Sequence, residues 1–377
     1  TEIYTRKDTL SLHDALPIAL AGVSFVLTAV YVPHSVEHTE AGFDIAGSLL
    51  SALTVGGLVL AFHEGPERGW TDALTLAALA AGLLGTLAFV LVELRRDHPL
   101  VDVRVFALRG LAAGSVNLFV VFAVMFSLFL VLVQYLQAVL GYSALRAASG
   151  LLPMAAIMMP LSTIAPTIAE RMGFRRTLVM GMLLLAGGLV LFAALADPTG
   201  GYMSVFPAIL VLGAGVGLAM SPSTAAITSS LPEEKQGVAS ALNDTVREMG
   251  GAVGIALIGS VLNSAYRSNI EPIAGSLPPQ VAKPVASGIG SALAVAGQMG
   301  ADGKAVVAAS RQAFVDGMTP ALYLGAAVAL AAAIFTALRG PKTAAEAEPR
   351  LHLSDHSEMA GAEVHNTITA PIDADGG

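Results

Sequence analysis

Long uninterrupted runs of apolar residues dominate the chain, and polar positions are mostly confined to the stretches between them. Nine runs are long enough to cross a bilayer: 15–33, 45–62, 73–92, 110–137, 147–169, 177–196, 198–232, 249–266 and 317–338. A helix rises about 1.5 Å per residue, so roughly 20 residues cover a hydrocarbon core of about 30 Å. Nine such runs leave no polar faces to surround a soluble core, and only helices satisfy the backbone of apolar runs this long in lipid. The pattern predicts an all-α, polytopic membrane protein.

Composition supports this prediction and excludes several functions. Hydrophobic residues make up 55% of the chain and charged residues 13%, against about 25% charged in soluble domains. The formal charge of −8 comes without the basic clusters that nucleic-acid binding requires. The chain has no cysteine, which excludes disulfides, Cys-ligated zinc and thiol catalysis.

The two ends differ from the apolar body. Residues 1–14 are polar and lack the order of a signal peptide, and the string SLHDALPI at 11–18 resembles translated sequencing-adapter sequence. We therefore expect residues 1–15 to be non-native, with native sequence starting near Leu16 and more protein upstream; a genuine short tail is the alternative. Residues 341–377 are polar and mixed in charge, which predicts a disordered tail.

The segment 268–315 joins the last two runs. Its Gly/Ala-rich stretch at 285–300 is about as long as a span, so a tenth crossing has to be considered. It is weakly hydrophobic, and glycine-rich sequence is a poor helix former. We predict a surface loop with an amphipathic piece.

Lys and Arg are distributed unevenly between alternate loops. One set of loops holds eleven: Arg95, Arg96, Arg104, Arg109, Arg171, Arg175, Arg176, Lys235, Arg339, Lys342 and Arg350. The other set holds Arg68, Arg146 and Arg267, besides three in the long segment 268–315, which counts weakly. Because positive loops stay inside, the first set is predicted to be cytoplasmic, together with the C-terminus.

Several motifs resemble one transporter family. YLQAVLGYS at 135–143, followed by GLLP at 150–153, resembles the signature of the 14-helix drug:proton antiporters of the major facilitator superfamily. Further matches follow in order along the chain: Phe43-Asp44 with Gly47, Glu64-Gly65, Gly69-Trp70, PLVDVRVF at 99–106, ERMGFRR at 170–176, and Asn243 with Arg247, Gly250, Gly251 and Gly254. Glu248 stands where the family pattern has Gln.

The resemblance covers residues 16–338 and implies both an architecture and an activity. The nine runs would be helices 6 to 14: 16–33 as the last helix of the N-terminal half, 34–109 as two linker helices and a cytoplasmic loop, and 110–340 as the C-terminal transport domain with the external loop 268–315. The implied activity is proton-coupled efflux of amphipathic drugs by alternating access, with substrate near the midplane. A monomer in the inner (plasma) membrane is expected when full length, and the proton-carrying residue is expected in the N-terminal half.

Polar residues inside or beside spans are the candidates for function. Asp244, Arg247 and Glu248 are the only charges that can lie within a span; Asp244 and Glu248 share a helix face, and Arg247 can pair with Asp244. As intramembrane groups they would act in a cavity or in gating. As interfacial groups they would be unremarkable, because a helix over 237–266 is longer than the hydrocarbon core. Asn243 lies on the same helix face as Arg247, and both interpretations apply to it.

Amides on the 110–137 run are a second candidate group. Gln134 and Gln137 should face the bundle interior, where they bind substrate or hydrogen-bond a neighbouring helix. Asn117, about one span earlier, is expected at the membrane interface. Apolar Met and Phe side chains on this run and the next, among them Phe122 and Phe126, offer an adaptable surface for drugs or simply pack.

The loop at 170–176 has two readings. Glu170, Arg171, Arg175 and Arg176 can form an inter-domain latch whose pairs change between states, or they anchor the loop on the positive side of the membrane. Gly173 between them favours a tight turn with positive φ.

Prolines and glycines interrupt three of the runs, either to bend helices along the transport pathway or to let helices pack closely. They are Pro153, Pro160, Pro222, Gly250, Gly251 and Gly254.

The sequence shows no catalytic constellation, metal-ligand spacing or nucleotide loop, so no enzyme activity and no cofactor are expected. The alternatives to multidrug efflux are a dedicated exporter of one metabolite, such as an antibiotic or siderophore, and an inactive fragment or membrane scaffold.

Overall fold

The computed structural model describes residues 12–31, 44–96, 103–231, 236–300 and 303–341, and these ranges are almost entirely helical. The helices are α1 (Leu12–Tyr31), α2 (Ile45–Arg68), α3 (Ala73–Glu93), α4 (Arg109–Gln134), α5 (Ala144–Ser149), α6 (Leu152–Met172), α7 (Phe174–Leu195), α8 (Gly201–Thr228), α9 (Gln236–Ala274), α10 (Pro279–Ser287), α11 (Ile289–Ala296) and α12 (Gly303–Arg339). A 3-10 turn, Val103–Ala107, precedes α4, and a π-helical turn, Tyr135–Val139, ends it. The expectations for residues 1–11 and for the tail from 342 onward fall outside the described residues.

Within the described ranges, eight helices are long and apolar enough to span a membrane: α2, α3, α4, α6, α7, α8, α9 and α12. The first predicted run corresponds to α1, whose part Leu20–Tyr31 is a shorter apolar helix. The prediction of an all-α, polytopic membrane protein is confirmed. Helix α1 belongs to a compact unit of its own, and the helices from α2 onward form another.

Helices α2 and α3 form a hairpin held together by small residues. A Cβ at Gly57 would lie 2.6 Å from the backbone nitrogen of Gly82, so the two backbones touch. Both helices begin with an aspartate cap: Asp44 accepts a hydrogen bond from the Gly47 N–H at 2.8 Å, and Asp72 from the Leu74 N–H at 3.0 Å. Close backbone approach replaces the hydrophobic driving force that is absent between helices in lipid.

The remaining six spans form a bundle in which α8 is central. A Cβ at Gly213 would lie 2.6 Å from the carbonyl oxygen of Met154 on α6, and a Cβ at Gly217 would lie 2.7 Å from that of Met158. On another side, α8 packs against α7, and α12 packs against α4, α7 and α9. Small residues therefore set the helix spacing throughout the bundle.

A buried hydrogen bond ties α4 to α12. The Asn117 side chain is fully buried, and its Nδ2 donates to the hydroxyl of Thr336 at 2.7 Å and to the Ala113 carbonyl at 2.6 Å. The expectation that Asn117 lies at the membrane interface stays a prediction, because burial between helices does not report depth in the membrane; Thr336 lies in the last turn of α12. An amide near a helix end is drawn inward when a partner on a neighbouring helix satisfies its donor.

The segment between the last two spans is more ordered than a surface loop. Helix α9 continues to Ala274, α12 starts at Gly303, and α10 and α11 fold back between them with nine and eight residues. Tyr266 donates its hydroxyl to the Val285 carbonyl at 3.0 Å, and Ile289 and Ala292 are buried beside it. Neither short helix approaches the roughly 20 residues of a crossing.

Candidate functional site

The contact between α4 and α9 is the closest helix pairing that involves the predicted site residues. A Cβ at Gly250 would collide with the carbonyl oxygen of Phe119, and one at Gly254 with that of Ala123. Each step of four residues on α9 matches a step of four on α4, so the two helices run parallel. We call this contact the α4–α9 seam; its members are Phe119, Phe122, Ala123, Asn243, Arg247, Gly250 and Gly254.

The seam places a charged side chain on an aromatic ring. The guanidinium carbon of Arg247 lies 4.7 Å from the centroid of the Phe122 ring, within the range of a cation–π contact. Phe122 is buried, and its ring centroid is 6.0 Å from that of Phe126, which is partly exposed. A Cβ at Gly251 would lie 3.2 Å from the Phe126 ring, so the missing side chain makes room for that ring. Arg247 therefore sits at one end of a short aromatic platform.

Two polar groups in the seam lack hydrogen-bond partners. Asn243 is 7% exposed, and its Oδ1 has no partner in the described part of the chain; nor has the Nε of Arg247, one turn further along α9. An unpaired buried polar group costs about 1–3 kcal/mol. Both atoms are buried, so a polar group can satisfy this acceptor and this donor only after the helices rearrange.

The neighbouring carboxylates are accessible. Asp244 pairs with Arg247 at 3.7 Å, but its side chain is 67% exposed, so the pair is weak and readily exchanged. Glu248 is also exposed on α9. The structure thus brings Asn243, Asp244, Arg247 and Glu248 together on two adjoining faces of one helix.

The glutamines lie elsewhere. Gln134 is twelve residues beyond Phe122 on α4, or about 18 Å along the axis. Its Nε2 donates to the Leu130 carbonyl of its own helix at 3.3 Å, and Gln137 is exposed in the π-helical turn. The structure does not join these two residues to the α4–α9 seam.

Side chains from other helices fix the end of α4 near these glutamines. The Arg311 Nε of α12 donates to the Ala138 carbonyl at 3.1 Å. The buried Tyr135 donates its hydroxyl to the Asp197 carbonyl at 3.0 Å. At the surface, hydrogen bonds from the hydroxyl and the N–H of Thr199 lower the pKa of the Asp197 carboxyl. The motif at 135–143 is therefore an anchored helix end.

The loop between α6 and α7 contacts the last helix of the bundle. Gly173 has φ +95°, the left-handed conformation that favours glycine, and its N–H donates to the Ala169 carbonyl. The turn aims Arg175 at the end of α12, where its Nε donates to the Gly340 carbonyl at 2.7 Å. Glu170, Arg171 and Arg176 are exposed.

The prolines lie within continuous helices. Pro153 occupies the first turn of α6, where its missing N–H costs nothing, and the helix runs on through Pro160. Pro222 is buried inside α8 beside Ser223, whose hydroxyl bonds back to the Ala219 carbonyl.

A family model describes most of this arrangement. The model of the Major Facilitator Superfamily matches residues 16–255, from α1 through the glycines of the α4–α9 seam. The chain belongs to the Major Facilitator Superfamily. The resemblance drawn from the motifs is confirmed, and the eight spans together with this membership make the chain a plasma-membrane protein of a transporter family.

Relatives within the superfamily carry the names of exporters. The chain is 30% identical over 320 residues to "Multidrug efflux pump LfrA" of Mycolicibacterium smegmatis, covering 85% of this chain and 62% of that one. It is 29% identical over 255 residues to "Multidrug resistance protein Stp" of Mycobacterium tuberculosis, covering 68% and 47%. It is 32% identical over 251 residues to the "Tetracenomycin C resistance and export protein" of Streptomyces glaucescens, covering 66% and 46%. The chain spans about half the length of the curated relatives it matches.

Some contacts of this superfamily member were not predictable from the chain alone. In the sequence, nothing separates Phe122 from the other apolar side chains of its run except its spacing of four from Phe126, which places the two rings on one helix face. The bonds of Asn117 to Thr336 and of Arg311 to Ala138 join residues 219 and 173 positions apart. Nothing in the local pattern marks such pairs.

Proposed function

We propose that this chain is the C-terminal part of a secondary active exporter, which moves drugs or other small amphipathic molecules by proton antiport with alternating access. The observation that carries the proposal is the α4–α9 seam, where Arg247 lies on Phe122 and two buried polar atoms have no hydrogen-bond partner among the described residues. The exporter names of the relatives support it.

The seam offers an amphipathic molecule several kinds of contact. When the helices move apart, Phe122 and Phe126 would provide an apolar, aromatic platform, and the buried Arg247 Nε and Asn243 Oδ1 would provide a donor and an acceptor. A site with few polar groups on an apolar wall binds varied ligands, since little of the binding free energy depends on one geometry. Asp244 and Glu248 act at its open edge, in gating or in attracting cations.

The arrangement of helices follows from the same proposal. The spans correspond to helices 6 to 14 of fourteen, with 34–109 carrying the two linker helices and 110–340 the C-terminal transport domain. The arginine-rich loops and the C-terminus face the cytoplasm, and the segment 268–315 faces outward. The loop 170–176 is a latch on this side, and its bond from Arg175 to Gly340 is one of its closed contacts. The full-length protein acts as a monomer.

Export of a single metabolite is the second candidate. The names "Tetracenomycin C resistance and export protein" and "Cephamycin export protein CmcT" favour it, because each of those relatives is named for one antibiotic. The two candidates differ in the breadth of substrates and share the same site.

Resistance measurements separate the candidates. The natural gene is expressed in a host without its own efflux pumps, and growth is measured on a panel of chemically unrelated toxic compounds. Resistance to several classes supports multidrug efflux, and resistance to one class supports a dedicated exporter. Resistance that survives collapse of the proton gradient by a protonophore contradicts proton antiport.

A further inference from the structure

Two apolar cavities adjoin at one end of the α2–α3 hairpin. The first, of about 480 Å³, lies between α2, α3 and the beginning of α9. The second, of about 530 Å³, lies between α3 and the 3-10 turn before α4. Phe89 and Phe106 line both, so these two side chains form the wall between the cavities.

The cavity walls favour hydrocarbon over polar ligands. Three of their four hydroxyls are already bonded within their own helices: Ser51 to the Ser48 carbonyl, Thr86 to that of Gly82 and Thr245 to that of Ala241. The fourth, that of Thr54, is buried and has no partner among the described residues. Most other lining side chains, such as Val55, Val90 and Leu242, are aliphatic. Each cavity is within the range of about 300–1,000 Å³ of small-molecule sites. They can take up flexible apolar chains and offer few hydrogen bonds.

Exposed arginine side chains lie at the rim of the cavities. Arg104 lines the second cavity, and Arg95 and Arg96 follow Leu94, the residue that caps α3. Of the carboxylates that the structure describes at this end, Asp44 and Glu93 are 7% and 2% exposed, whereas the side chains of Arg95, Arg96 and Arg104 are exposed. Arg96 holds Asp44 through Nη1 at 2.6 Å while 41% of its side chain stays exposed. A guanidinium has five N–H donors, so further donors of Arg96 remain for an anion.

We propose that this end of the hairpin binds an anionic phospholipid. One acyl chain occupies each cavity, on either side of Phe89 and Phe106. The head-group phosphate lies on Arg104 with Arg95 and Arg96 around it, because guanidinium groups match phosphate oxygens in charge and geometry. This site lies on the opposite side of α9 from the α4–α9 seam, and the proposal does not depend on transport activity.

Native mass spectrometry of the purified full chain tests the proposal. The protein is equilibrated with mixed micelles of equal phosphatidylglycerol and phosphatidylcholine, and the lipid copies that remain bound are counted. We expect retained phosphatidylglycerol to exceed phosphatidylcholine several-fold. One arginine near a lipid head group is worth about five-fold in affinity, so Arg104→Ala should reduce this preference about five-fold. Arg68→Ala, at the other end of the hairpin, should leave it unchanged.

A second pair of variants tests the cavities. Leu242→Trp fills the first cavity and should reduce the retention of both lipids, whereas Leu257→Trp, on an exposed part of α9, should not. Equal retention of the two lipids by the unmodified chain overturns the proposal. An equal loss of the preference for phosphatidylglycerol in Arg104→Ala and Arg68→Ala also overturns the proposal. This comparison does not require Leu242→Trp to fold.

Discussion

At the residue scale, Arg247 is the side chain on which the account depends most. It combines a cation–π contact with an exchangeable ion pair and a buried Nε–H that has no hydrogen-bond partner among the described residues. Its exposure of 30% leaves it accessible to a ligand while its stem stays packed. These properties predict a role in transport rather than in folding.

Replacing Arg247 should therefore impair transport more than stability. We expect Arg247→Ala to reduce the rate of dye export about ten-fold, equivalent to about 1.4 kcal/mol, which is within the range of a desolvated cation–π contact. Arg247→Lys should recover part of the rate. Arg68→Ala, the matched control on an exposed helix end, should transport normally; equal rates for Arg247→Ala and this control would contradict the role.

The hydrogen bond between Asn117 and Thr336 should contribute to stability instead. Buried hydrogen bonds between membrane helices are worth about 0.6 kcal/mol on average and up to about 1.7. A double-mutant cycle with Asn117→Leu and Thr336→Val, measured by unfolding in detergent, should give a coupling free energy in this range. A coupling of zero would mean that the bond does not form in the membrane protein.

At the element scale, backbone contact through glycine controls how the spans pack. The glycines of the α4–α9 seam leave no space for a methyl group, whereas Gly187 on α7 has no atom within 4 Å of its Cβ position. Glycines on membrane helices thus have different structural roles: those of the seam allow close backbone contact, and Gly187 does not. Sequence alone does not distinguish them, because both lie in apolar runs.

This difference gives a stability prediction. Gly254→Ala should push α9 away from α4 and destabilise the protein by about 1–3 kcal/mol, as overpacking generally does. Its thermal unfolding temperature in detergent should fall by several degrees. Gly187→Ala should leave the temperature unchanged or raise it slightly, since alanine is the better helix former. An equal response of both variants would rule out the close approach in the seam.

Sequence reasoning predicted the spans better than their ends. Each apolar run marks a helix because lipid admits no other backbone arrangement for it. The ends depend on contacts made in three dimensions: α9 continues to Ala274 where Tyr266 and Ile270 remain buried against neighbours, although polar residues already appear at Ser268. For the same reason the segment around Val285 folds into short packed helices and not into an open loop.

The sequence shows which charged and amide residues lie in or beside the spans, but it does not show which of them lie together in the fold. Asn243 and Arg247 are one turn apart, so their proximity follows from helix geometry. Their position on Phe122 depends on which helix lies beside α9, which is a tertiary property. Gln134 is likewise a polar residue in an apolar run, but it lies about 18 Å from Phe122 along the axis of α4.

At the scale of the whole molecule, the absence of cysteine allows the proposed orientation to be tested directly. Ser276 and Arg176 are both exposed, the first between α9 and α10 and the second at the start of α7. With an impermeant maleimide added to intact cells, Ser276→Cys should be labelled and Arg176→Cys should not. After membrane permeabilisation both should react. The reverse pattern in intact cells would contradict the predicted orientation.

The measurement that tests the central proposal most directly is dye transport into inverted membrane vesicles containing the natural gene product. With a proton gradient acid inside, we predict uptake of ethidium that stops when a protonophore is added and that falls about ten-fold in Arg247→Ala. Uptake that continues after collapse of the gradient, or that is equal in Arg247→Ala and Arg68→Ala, would contradict proton-coupled export through the α4–α9 seam.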